Sequence, residues 1–264
     1  MRRGNLFWGF ILIVVGGLFL LQTLGWLENV NIWGLIWPLF LICLGVWIVL
    51  GRFFVRSAET EHATIPLQGA THARVVLKHG AGRLNIHAGA SVSDLAEGDF
   101  SGGLDLRIRR DGDLLDATLS MPSQSFPIFW GPVGYSLDWT IGFNREIPFS
   151  LELKMGAAEA RVDLTDLKVT DVRLQTGASA TDLKLPTHAG FTRLRVESGA
   201  ASVNVHIPQG VAARIRARGG LAAISVDSNR FPRSGDFYQS SDYETAVNKA
   251  EIDIQTGVGA VDVR

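Results

Sequence analysis

The chain has one cysteine in 264 residues, and its 25 basic and 26 acidic residues leave a net charge of −1. A single thiol builds neither a disulfide scaffold nor a thiolate metal cluster. A balanced charge lacks the basic excess expected of a general nucleic-acid binder. Charge is also unevenly spread: residues 1–51 carry only Arg2, Arg3 and Glu28, so a purely soluble chain is excluded. The same stretch holds Cys43 and five of the seven tryptophans.

What this stretch does have is two long apolar runs, residues 6–27 and 32–51, joined by the short polar turn Glu28-Asn29-Val30-Asn31. At about 1.5 Å rise per residue, each run is long enough as a helix to cross a hydrocarbon core of about 30 Å. Residues 1–56 are therefore expected to form a transmembrane helical hairpin, kinked at Pro38 in the second run. Trp8, Trp26, Trp33 and Trp47 lie near the run ends, where indole rings favour the membrane interface. The first run is too long for a signal peptide, and no small-residue cleavage site follows it. Arg2, Arg3, Arg52 and Arg56 flank the hairpin and the turn carries only an acid, which places both termini and the following domain in the cytoplasm by the positive-inside rule.

Residues 57–264 carry a repeat. An apolar-x-apolar pair, a glycine with small neighbours and a second apolar-x-apolar pair recur around Gly156, Gly177, Gly199 and Gly220. Gly80 and Gly257 fit the same spacing. Positions five and three before each glycine are apolar (Leu151/Leu153, Val172/Leu174, Leu194/Val196), and so are most positions four and six after it (Val203/Val205, Ile224/Val226). Period-two alternation marks half-buried strands. A glycine at a fixed place between two strands marks a corner that needs either positive φ or close backbone approach. A unit of about 20 residues cannot bury its own apolar face, so its neighbours must stack on it. The expected fold is an all-β, β-solenoid-like stack of roughly 21-residue rungs. Two segments break the pattern: residues 111–148, rich in aromatics and proline, and the polar residues 227–249. Each is expected either to cap the stack or to dock a partner.

Taking the rungs in sequence order, Arg173, Arg193, Arg195, Arg214, Arg216 and Arg218 share one outward face before the glycines. They form a candidate surface for an anionic partner, set against the plainer reading of a solvated face with Glu152, Glu197, Glu251 and Asp253 across the rungs. Catalytic signals are sparse. His79, His87, His188 and His206 are read as solvated surface histidines, and Asp163 and Asp182 share a face only at different offsets. No nucleophile triad, phosphate loop or calcium nonapeptide is recognisable. No catalytic residue, metal site, cofactor or small-molecule substrate is therefore expected.

Arg3-Gly4-Asn5-Leu6-Phe7-Trp8-Gly9, with Gly16-Gly17, Leu24-Gly25, Trp37-Pro38 and Leu44-Gly45, resembles the membrane hairpin of LiaI/LiaF-type envelope-stress proteins. Residues 145–148 (Arg-Glu-Ile-Pro) and 151–158, the stretch 163–167 and Gly177-Ala178-Ser179 resemble the C-terminal toast-rack domain of the same cell-wall-active antibiotic response family. This chain has one hairpin where longer members have two. The resemblance implies a non-enzymatic bacterial membrane protein of the envelope-stress response, with a membrane sensor kinase as partner. A structural or lipid-organising scaffold is the alternative, and an outward-facing glycan-binding or adhesin-like solenoid is a third. The lipid bilayer is a partner in each reading, nucleic acid in none, and a homo-oligomer is left open.

Overall fold

The computed structural model describes residues 60–122 and 137–264, together with Trp37, which is helical. The expected hairpin, with Trp8, Trp26, Trp33 and Trp47, lies otherwise outside the described residues. Among the described residues no helix is long and apolar enough to cross a membrane.

The described chain is nearly all strand: β1 (Thr60–Pro66), β2 (His72–Ala88), β3 (Asp94–Ser101), β4 (Asp105–Asp111), β5 (Leu114–Ser120), β6 (Trp139–Phe143), β7 (Phe149–Asp163), β8 (Val169–Lys184), β9 (Phe191–His206), β10 (Ala212–Val226), β11 (Arg233–Ser234), β12 (Phe237–Gln239) and β13 (Lys249–Val263). Six long strands, β2, β7, β8, β9, β13 and β10, stack in parallel in that order. Each contains one of the six repeat glycines, and the apolar pairs on either side face a common interior. Val75, Leu77, Leu153, Leu174, Val196, Val203 and Ile254 are all essentially inaccessible. This is the β-solenoid-like stack that the alternation predicts.

The glycines explain the corners. A Cβ on Gly156 would lie 2.4 Å from the Gly80 carbonyl oxygen, and one on Gly177 would lie 3.0 Å from that of Gly156. The ladder continues from Gly199 to Gly177 (2.9 Å), Gly257 to Gly199 (2.7 Å) and Gly220 to Gly257 (3.0 Å). None of these five has the left-handed φ seen at Gly82 and Gly259. Of the two reasons for a corner glycine, close approach between rungs is the one that operates.

Two features depart from sequence order. First, β13 lies between β9 and β10, so the rung nearest the C-terminus is not the last in the stack. The Ile207–Val211 loop, no longer than the Leu164–Lys168 loop between β7 and β8, therefore crosses two rung spacings, roughly 10 Å. Its carbonyls are gathered by the Arg230 guanidinium, which donates to Ile207, Pro208 and Val211 oxygens. Second, residues 111–148 are not simply a lateral insertion. β5 pairs with the first half of β2 and β6 with the second half, so that the two together form a further, split rung.

Antiparallel strands cover that rung: β4 on β5, then β3 on β6 and β1 on β3. Trp139 meets Phe100 edge-on at 5.0 Å and Phe143 stacks on Phe149 at 5.1 Å, sealing this end of the core. At the other end, residues 227–249 supply the β11–β12 hairpin, which pairs with β10 only at Arg214 and Ile215.

Overpacking a close contact costs about 1–3 kcal/mol. Gly156→Ala is expected to destabilise the domain more than Gly220→Ala, because the blocked distance is shorter and Gly220 lies in the end rung. Thermal unfolding followed by circular dichroism measures both, and equal losses would contradict the ladder.

Candidate interaction surface

All six arginines lie on the same sheet, on strands β8, β9 and β10, but the insertion of β13 changes their neighbours. The outward columns run Asp171–Arg193–Glu251–Arg214, then Glu152–Arg173–Arg195–Asp253–Arg216, then Lys154–Gln175–Glu197–Gln255–Arg218. Arg193 and Arg214, adjacent in sequence-order stacking, are separated by Glu251. Asp253 separates Arg195 from Arg216 in the same way. A uniformly basic face is thus broken by an acidic strand.

Several members are already engaged. Arg173 contacts Glu197 at 3.1 Å, Arg193 contacts Glu251 at 3.8 Å, and Arg214 contacts Glu244 at 2.7 Å. The amide of Gln175 donates to Glu197 at 2.8 Å, and this bond, with help from Arg173, holds the Glu197 carboxyl below its usual range. Arg214 also donates to the Gln239 side-chain oxygen at 2.7 Å and lies 4.5 Å over the Tyr243 ring. Arg216 lies 5.6 Å over Phe237. Among the described residues Arg195, Arg216 and Arg218 have no carboxylate within 4 Å. The part of the arginine set still available is therefore concentrated towards β10.

The opposite sheet holds the carboxylates considered for chemistry. Lys184 contacts Asp163 at 2.9 Å and His206 contacts Asp182 at 3.3 Å. Burial raises the Asp163 pKa, but hydrogen bonds from Thr165 and Lys184 outweigh it and leave a net depression. Asp163 and Asp182 stand in adjacent columns, each with its own side-chain partner, and do not converge on a shared point. Among the described residues no group of three or more His, Cys, Asp or Glu could hold a metal ion.

His79 differs from its expected place on the surface. It is 1% exposed, because it precedes the corner glycine by one and continues the inward alternation shared by Met155, Thr176 and Thr256. Its ring lies 5.1 Å from that of Trp139, and neither nitrogen has a hydrogen-bond partner among the described residues. Burial lowers its pKa to about 4, against an opposing pull from Asp138. The signal was the alternation itself, which assigns position −1 to the interior as it does −3 and −5.

Two measurements follow from this geometry. Because the folded-state pKa of His79 is lowered, the unfolded chain takes up its proton first, and stability is lost as pH falls from about 6.5 towards 4, by roughly 1.4 kcal/mol per pH unit within that window. His79→Phe should flatten the dependence of melting temperature on pH there; an unchanged slope would show that His79 does not contribute. Glu251→Lys with Asp253→Lys should destabilise by about 0.2–1 kcal/mol per cross-strand pair, more at low than at high salt. Equal losses at both salt concentrations would assign the effect to packing instead of charge.

Comparison with known proteins accords with this architecture. A candidate cell adhesion protein from Clostridium sporogenes ATCC 15579 superposes with a TM-score of 0.70 at 23% identity, over 78% of this chain and 98% of that one. A candidate adhesin from Bacteroides fragilis NCTC 9343 gives a TM-score of 0.31 at 6% identity, over 79% and 98%, too low to bear on the fold. No curated protein matches the chain. Residues 6–49 match the LiaI-LiaF-like transmembrane region, and residues 54–206 match the N-terminal domain of toast_rack, DUF2154. The chain is a membrane protein with a LiaI-LiaF-like transmembrane region and belongs to the toast-rack family.

Proposed function

We propose that the protein is a membrane-anchored, non-enzymatic component of the bacterial envelope-stress response, acting by contact with a membrane sensor kinase. The observation that carries this reading is the joining, in one chain, of a LiaI-LiaF-like transmembrane region at residues 6–49 and a toast-rack domain whose match begins at residue 54. In this reading residues 6–27 and 32–51 cross the bilayer as an antiparallel pair, and the arginines flanking them keep both termini and the β domain in the cytoplasm.

The chemistry of the stack is in keeping with a binding role. Most of its apolar residues are committed to the core, and most charged side chains on the described sheet faces meet a partner of opposite sign. A rigid stack with fixed outward columns presents groups for contact more readily than for proton transfer or nucleophilic attack.

A reporter fused after Arg264 should be active only in its cytoplasmic form, and purification in mild detergent should recover a histidine kinase with the intact chain. An external reporter signal would overturn the orientation and reopen a role in binding extracellular glycan. Intact protein repeatedly recovered without a kinase would overturn the regulatory reading and favour a lipid-organising scaffold.

A further inference from the structure

The two ends of the stack are finished differently. One is closed by β1, β3 and β4, whereas past Ile215 the outer edge of β10 has no paired strand among the described residues. On that rung Ala217, Ile224 and Val226 are only half-buried, although the equivalent positions on the other five long strands are fully buried. Leu221, at 82% exposure, and Val258, at 51%, add apolar surface at the same corner. Unpaired backbone beside an incompletely covered core is a template for another strand.

The inner edge of the same strand shows which chemistry fits. There β13 pairs with β10 from Ala212–Lys249 to Val226–Val263, setting Glu251 beside Arg214, Asp253 beside Arg216 and Gln255 beside Arg218. Its Ile252, Ile254, Val261 and Val263 enter the core. The outer edge offers the same outward arginines and the same inward apolar positions. Arg214 is already engaged by β12 and Glu244, but Arg216 and Arg218 lack ion-pair partners among the described residues. A second copy's β10, added parallel and in the register of β13, would bring arginine at all three of these outward positions, and so no matching carboxylates.

The geometry points to an acidic β-strand of another protein as the occupant, added parallel to β10 along Arg216–Val226. Its carboxylates would lie beside Arg216 and Arg218, and its alternate apolar side chains would cover Ile224 and Val226. The backbone ladder supplies affinity and the arginines select the partner's charge.

The probe is a fluorescent synthetic peptide with the sequence Asp253–Val263 of β13 carrying Gln255→Glu, which sets a carboxylate beside each of Arg216 and Arg218, titrated into the full-length chain in detergent. Saturable one-to-one binding is expected, weakened at least tenfold when lysines replace the peptide residues at positions 253 and 255, which face Arg216 and Arg218. This reversal leaves the protein itself unaltered. In a Cys43→Ser background, a peptide carrying cysteine in place of Asp253 should form a disulfide with Arg216→Cys but not with Arg195→Cys. Cross-linking to both would mean that the peptide had displaced β13, which overturns the proposal, as would absent binding or equal affinity for the lysine peptide. A dimer by light scattering that blocks peptide binding would overturn it in favour of a second copy. The assay contains no kinase, so its result is independent of the regulatory reading.

Discussion

The rungs close on one another because the carbonyl oxygen of one corner glycine occupies the place where the next corner's side chain would be. At 2.4–2.9 Å from a would-be Cβ, the contacts at Gly156, Gly257 and Gly199 admit no side chain without a backbone shift, and at Gly177 and Gly220, at 3.0 Å, the neighbouring corner would have to give by a few tenths of an ångström. Once corners superpose, every other position is fixed by alternation: −5, −3 and −1 point inward before the glycine, +4 and +6 after it. The Leu/Val/Ile interior follows from that registration. So do the outward columns, because side chains at one offset must lie one strand spacing apart, about 4.8 Å.

Glycine registration does not determine which rung lies next to which. β9 and β10 have the same corner and compatible interiors, and the loop between them is short enough for direct stacking. That arrangement would set Arg193 against Arg214 and Arg195 against Arg216. Placing β13 between them puts an acidic side chain beside each. Individual exposed pairs contribute little, but the two arrangements bury much the same apolar side chains, so modest charge differences summed over several rows can decide between them. The clamp of Arg230 on the Ile207–Val211 carbonyls then satisfies the loop that has to span the inserted rung.

Periodicity made the six long strands and their interior readable, because both strand alternation and the corner glycine recur at fixed offsets. It could not reveal the exchange of β10 and β13, since order along a stack leaves no trace in a spacing. The split rung escaped for a different reason. With eighteen residues of sequence between them and no Gly-Ala corner, the alternation of β5 and of β6 lay too far apart to read as one unit. The capping strands β1, β3 and β4 have no corner at all. At the candidate surface, the repeat spacing put six arginines at outward offsets, while the acids that divide them came from a strand expected elsewhere. His79 was legible in principle, but its polar character outweighed its inward position.

The unequal ends have a mechanical consequence. In a stack where each rung touches only its neighbours, stability is approximately a sum of rung and interface contributions. The chain enters at the end closed by Trp139, Phe100 and the antiparallel strands, where the core is fully sealed. The β10 rung has a strand on one side over most of its length, and its Ile224 and Val226 remain half-buried. Local opening should therefore be easiest at that rung and hardest towards β7 and β8, which are covered on both sides. A ligand that binds only the closed form of the β10 rung raises the free energy of opening it, and because β13 lies beneath, its loss would also become rarer. The exposed end is thus the point where a bound strand can most alter the behaviour of the domain without any change in the shape of the central rungs.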